Sequence, residues 1–166
     1  ALASWQRESR PVDVEREHIA MSMGVGLRYL AAAPIVRRIL WRGAMFAVPA
    51  SALWALLPVV ADRHFGLDAT GYGGVLALLG GGAVAGMLVL PTFRARLPQD
   101  VILAVAALFF AAGAAAAGYL PLGWAAVPLL LAGFGWTAEL STLNAALQLT
   151  LPGWVRARGM AMYLLV

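Results

Sequence analysis

Four stretches of this chain are long and apolar enough to cross the hydrocarbon core of a bilayer as an α-helix, a passage that takes roughly 20 residues. They are 39–61, broken by Arg42, Pro49 and Pro58, then 71–90, 101–120 and 123–151. The last exceeds the core thickness and is expected to tilt or to end among the headgroups. A further run, 154–166, reads as the opening of a fifth span. In lipid every backbone polar group must be satisfied within the segment, which leaves helices as the natural solution for such runs. With 62% hydrophobic and 12% charged residues, most of the chain has lipid as its solvent. The expected fold is all-α: a polytopic membrane helix bundle of about four full spans plus the start of a fifth.

Residues 1–38 form the one extended polar part, with mixed charge and no usable core, and are expected to be a loop at the membrane surface. Within it, 19–33 turns amphipathic and predicts a short interfacial helix ending before Pro34. The transmembrane bundle then occupies 39–166. The chain begins without Met and stops inside an apolar run, so a piece of a longer protein is expected, and no secretory signal pattern is visible at the start.

All twelve basic residues are Arg. Seven (Arg7, Arg10, Arg16, Arg28, Arg37, Arg38, Arg42) lie ahead of or at the start of the first span. Arg94 and Arg96 separate the second and third, and Arg156 and Arg158 follow the fourth. The opposite side holds only Arg63. By the positive-inside rule the N-terminal loop is expected to be cytoplasmic, in a multi-pass protein of the plasma (inner) membrane. Arginines placed between apolar runs also argue against nucleic acid, which calls for a basic stripe on a soluble fold. The chain has no Cys, hence no disulfide framework and no thiolate ligand or nucleophile. Asp62, Arg63, His64 and Asp68 share a short external loop, where the expected role is solvation, with Asp68 or Thr70 capping the next helix. Neither phosphate loop, zinc signature nor hydrolase elbow occurs, and no cofactor or metal is expected.

Polar residues inside the spans carry the functional reading. Thr137, Ser141, Asn144 and Gln148, spaced by 4, 3 and 4, share about one third of the circumference of the fourth helix. Such a stripe either bonds helices together or lines a substrate path. Glu139 is the one acidic residue deep in an apolar run, and a carboxyl group there is a candidate for proton coupling. It lies about half a turn from the stripe, so in an unbroken helix the two do not share a cavity. Gly133 and Gly135 just before it are places where the backbone could loosen and bring the two together. The second span is rich in glycine, and Gly82 and Gly86 form a small-xxx-small pair suited to close packing or to sliding against a neighbour. Pro49 and Pro58 remove backbone donors from the first span, and with Ser51 and Trp54 nearby that helix is a candidate gate.

In order, Gly26-Leu-Arg-Tyr-Leu30, Leu53-Trp-Ala-Leu-Leu-Pro58, Phe65-Gly-Leu-Asp-Ala-Thr-Gly-Tyr-Gly73, Ser141-Thr-Leu-Asn-Ala-Ala-Leu-Gln148 and Trp154-Val-Arg-Ala-Arg-Gly159 resemble the major facilitator superfamily. The resemblance is to the bacterial branch that contains the enterobactin exporter and the transmembrane secretion effectors. It implies that the four spans are helices seven to ten of a twelve-helix transporter, with 154 onward opening helix eleven. It further implies that seven and ten line the central cavity, eight packs between the halves, and nine lies outside. The segment 86–96 stands where the superfamily carries a cytoplasmic motif. Arg94 and Arg96 match its basic part, whereas the expected Asp is absent and Pro91 stands near its place.

The function expected from residues and resemblance together is proton-driven efflux of amphipathic small molecules, drugs or siderophores, by alternating access. Thr137, Ser141, Asn144 and Gln148 would face Ser51 and Trp54 along the path, Glu139 would couple protons, and Arg94, Arg96, Arg156 and Arg158 would serve as loop and gating residues. The partners implied are the bilayer, the remaining helices of the transporter and the substrate. The rival is a non-transporting membrane anchor or assembly subunit. An enzyme is not expected, because the spans offer a single carboxylate and no His.

Overall fold

The computed structural model describes residues 32–153 together with 156, 160 and 161. Most of the amphipathic segment 19–33, most of the fifth run from 154 onward, and Arg158 fall outside the described residues. Within them the chain is helical, with no strand among the described residues. In chain order the helices are α1 (Pro34–Arg63), α2 (Ala69–Arg94), α3 (Gln99–Tyr119) and α4 (Leu122–Thr150), all long and apolar enough to span a membrane.

Local chemistry fixes the ends. Pro34 opens α1 at a position where its missing N–H costs nothing, and the helix then runs through both Pro49 and Pro58. Gly66, at φ 64°, takes the left-handed conformation that turns the chain between α1 and α2. Asp68 caps α2, its Oδ1 accepting from the Gly71 N–H at 2.8 Å. His64 Nε2 lies 3.1 Å from the Leu120 carbonyl and ties this turn to the α3–α4 turn at the same end of the bundle. At the other end α2 continues past its apolar run and through Pro91, so Arg94 occupies its last helical turn instead of a loop.

Each helix buries only part of its apolar surface. In α1 the buried residues are Val36, Ile39, Gly43, Phe46, Ala50, Leu53, Leu57 and Ala61, a single stripe at three- and four-residue spacing. The opposite face, with Trp41, Met45, Val48, Leu56 and Val59, is apolar and left exposed by the described helices. By contrast, α4 is buried on two faces, because it lies between α2 and α3, which touch each other little.

Glycines make that central position close-fitting. A Cβ at Gly82 would overlap the Leu130 backbone carbonyl, and one at Gly133 would overlap the Leu79 carbonyl, so α2 and α4 meet backbone to backbone. On the other face a Cβ at Gly135 would overlap the Ala106 carbonyl, and one at Gly113 would strike Ala132 and the Pro128 carbonyl. Gly133 and Gly135 therefore leave α4 continuous and let it approach both neighbours. Between helices already in lipid, where apolar burial gives little drive, such contact supplies the packing attraction. The first helix is held differently, by aromatic rings: Phe46 meets Phe110 edge-on at 5.0 Å, and Trp54 meets Trp136 at 5.6 Å.

Candidate functional site: two polar clusters on the fourth helix

Because α4 is unbroken, its polar residues divide between two faces. Toward α2, the Arg94 guanidinium donates through Nη2 to Ser141 Oγ at 2.8 Å and to Thr142 Oγ1 at 2.9 Å. Ser141 Oγ in turn donates to the Thr137 carbonyl one turn back. Arg94 and Ser141, one a gating candidate and the other a path candidate, are thus joined directly. Thr142, buried and outside the predicted stripe, completes their cluster. Thr137 and Asn144 are half-buried and Gln148 is exposed, on a face that the described helices cover only in part.

Toward α1 and α3 lies Glu139, 4% exposed, whose Oε2 has no hydrogen-bond partner among the described residues. It lines a cavity of about 450 Å³ together with Arg42, Met45, Phe46, Pro49 and Asp100 and residues of α3 from Leu103 to Ala114. Alanine makes this space: Ala104, Ala107, Ala111 and Ala114 sit on one side of α3 at spacings of 3, 4 and 3, where larger side chains would fill it. At one end of the cavity Arg42 Nη1 donates to Asp100 Oδ1 at 2.5 Å, and Arg38 approaches Oδ2 at 3.8 Å. Asp100 stands in the first turn of α3, where a negative charge also meets the positive end of the helix dipole.

The remaining site candidates are spread out. Ser51 is exposed and donates to the Val48 carbonyl of its own helix at 2.8 Å. Trp54 packs on Trp136 of α4, an aromatic contact that joins the first helix to the polar one. Arg96 is exposed, and Arg156 Nε and Nη2 approach the Leu151 carbonyl at 3.4 and 3.3 Å, just beyond the end of α4.

The family described as transmembrane secretion effector matches residues 1–166 of this sequence. The chain belongs to that family. A transmembrane secretion effector is a transporter of the major facilitator type, and its four membrane-length helices place this one in contact with lipid as a multi-pass protein. No curated protein and no solved structure is similar enough to count as a match.

Three residues of the effector's polar and aromatic framework escaped the sequence reading. Asp100 sits one position before its apolar run, and the signal that pointed to it was Arg42, a cation inside an apolar run that needed an anion at its own depth. Thr142 is indistinguishable from a lipid-facing threonine until α2 is placed beside it. Trp136, adjacent to the stripe, joins Phe46, Trp54 and Phe110 in one aromatic group.

Proposed function

We propose that this chain forms part of an exporter that moves amphipathic small molecules, drugs or siderophores, out of a bacterial cell by alternating access driven by protons. On this reading the four helices belong to the C-terminal half of a twelve-helix transporter. The Arg-rich ends face the cytoplasm across the inner membrane, and the remaining helices close the pathway. Thr137, Ser141, Asn144 and Gln148 face that pathway, with Ser51 and Trp54 on α1. Glu139 carries the coupling proton, and Arg94, Arg96, Arg156 and Arg158 act at the cytoplasmic mouth.

The observation that carries the reading is the exposure of α4. The helix is fixed on both sides by backbone contact with α2 and α3, yet Gln148 is exposed and Thr137, Ser141 and Asn144 are half-buried. Amide and hydroxyl groups left uncovered on the central helix of a membrane bundle fit a water-filled path better than lipid. A second reading, a non-transporting anchor or assembly subunit, draws on the bonds from Arg94 to Ser141 and Thr142, which hold helices together without need of a substrate.

The deciding experiment is efflux of a panel of dyes and siderophores by the full-length protein in cells, with and without the proton-motive force, at matched expression. The expected result is proton-dependent efflux that is lost in Asn144→Ala and Gln148→Ala, with Glu139→Gln abolishing its dependence on the proton gradient. Absence of efflux in wild type, or unchanged efflux in all three variants, would favour the anchor.

A further inference from the structure

We propose that the cavity between α1, α3 and α4 is a binding site for an organic monocation with an apolar body, and that Glu139 is the counter-ion that receives it. The inference rests on the exporter reading for its purpose and names the substrate class that this second face of α4 would take.

The cavity has the size and lining of a small-molecule site. Its 450 Å³ falls within the roughly 300–1,000 Å³ usual for drug-sized ligands, and its walls are mostly apolar, from Met45, Phe46, Leu103 and Phe110. The paired rings of Phe46 and Phe110 form one wall, and aromatic faces attract cations as well as apolar groups. One polar group deep in this lining is left over. Glu139 is 96% buried, yet its Oε2 lacks a hydrogen-bond partner among the described residues, whereas buried polar atoms in folded proteins are nearly always paired. A positively charged group of a ligand supplies the partner that the described residues do not.

The charges around the cavity single out that carboxyl group. Arg42 is the cation on its lining, and its guanidinium is bonded to Asp100, which Arg38 also approaches. Asp100 is thereby engaged by two arginines at one end, and Glu139 is the remaining carboxylate. An anionic ligand would meet Glu139 at the back of the cavity with Arg42 already held by Asp100. A monocation meets a carboxyl oxygen that has no partner among the described residues, beside an aromatic wall.

Met45 and Pro49 on α1 and Ala104, Ala107 and Ala111 on α3 are exposed where they border the cavity, so among the described residues it opens between these two helices. The apolar rim of that opening suits an apolar body bearing one charge. This cavity is separate from the face that carries Asn144 and Gln148, so α4 presents two different surfaces to small molecules.

Two probes of the same shape and opposite charge, tetraphenylphosphonium and tetraphenylborate, test the proposal on the purified full-length protein in lipid nanodiscs by equilibrium binding. Wild type is expected to bind the phosphonium at least about tenfold more tightly than the borate, and Glu139→Gln to remove that preference while Glu139→Asp retains it. Ala107→Leu, which fills the cavity and leaves the carboxyl group in place, is expected to lose phosphonium binding, and it keeps the test open if Glu139→Gln does not fold. Equal binding of the two ions by wild type, or undiminished phosphonium binding in Glu139→Gln or Ala107→Leu, would overturn the proposal. Because binding is read without transport, its failure alongside intact efflux would remove this site and leave the exporter reading standing.

Discussion

Arg94 shows how a single guanidinium can hold two helices when one nitrogen reaches two hydroxyl groups. Interhelical hydrogen bonds in membrane proteins contribute about 0.6 kcal/mol on average, because the separated helices find other partners. Thr142→Val is therefore expected to cost about that much, since Ser141 still accepts from Arg94. The pair Ser141→Ala with Thr142→Val should cost more than the two single changes summed, because only then does Arg94 lose both acceptors. Unfolding of the full-length protein in mixed micelles by titration with sodium dodecyl sulfate measures both. The Arg42–Asp100 pair calls for a different test, because Asp100 is largely exposed and solvent screens the pair. Arg42→Gln and Asp100→Asn should each lower the melting temperature slightly, and the double variant should lower it no further than Arg42→Gln alone. A full sum of the two effects would show that the pair does not act as a unit. At this scale the sequence was legible where chemistry is local: Asp68 had the form of a cap and accepts the Gly71 N–H. Asp100 and Thr142 were hidden because their significance comes from a partner 58 and 48 residues away.

Helices with apolar residues on every face announce their existence and conceal their neighbours. The four long helices were legible because lipid demands about 20 apolar residues in a row, a demand that α1 to α4 all meet. Which face of each is buried was not, because in α1 the buried Leu53 and the exposed Leu56 are the same residue type. Glycine breaks this degeneracy in part, since the small-xxx-small spacing of Gly82 and Gly86 set them apart from the other glycines of α2 as close-packing positions. The structure separates Gly82 from Gly80 and Gly81 in the same way. A Cβ at Gly80 or Gly81 meets nothing within 4 Å, whereas one at Gly82 or Gly133 meets backbone. Gly80→Ala and Gly81→Ala are expected to leave stability unchanged or to raise it by up to about 1 kcal/mol, through better helix propensity. Gly82→Ala and Gly133→Ala should lower it by about 1–3 kcal/mol, because backbone cannot give way as a flexible side chain would. The same detergent titration, run on all four variants, separates the two classes.

For the molecule as a whole, the distribution of arginines predicts which end of the bundle faces the cytoplasm. Since the chain carries no Cys, single cysteines introduced into a Cys-free form of the full protein report sidedness directly. Gly123→Cys, in the exposed start of α4, should react in intact cells with a maleimide that does not cross membranes. Ala95→Cys, at the opposite end, should react only after the cells are opened. The reverse pattern would invert the topology. The central position of α4 bears on something earlier than function, the order in which the molecule can be made. Helices leave the ribosome in sequence, and α2 and α3 are complete before α4 exists, although each is shaped by glycine to receive it and the two touch each other little. Until α4 arrives, lipid chains must occupy its place, and the first three helices wait in the bilayer as loosely associated segments. Assembly of this bundle is then a single late event, the displacement of lipid by the last described helix, and a nascent chain halted before Leu122 would hold its helices in the membrane without the wedge that joins them.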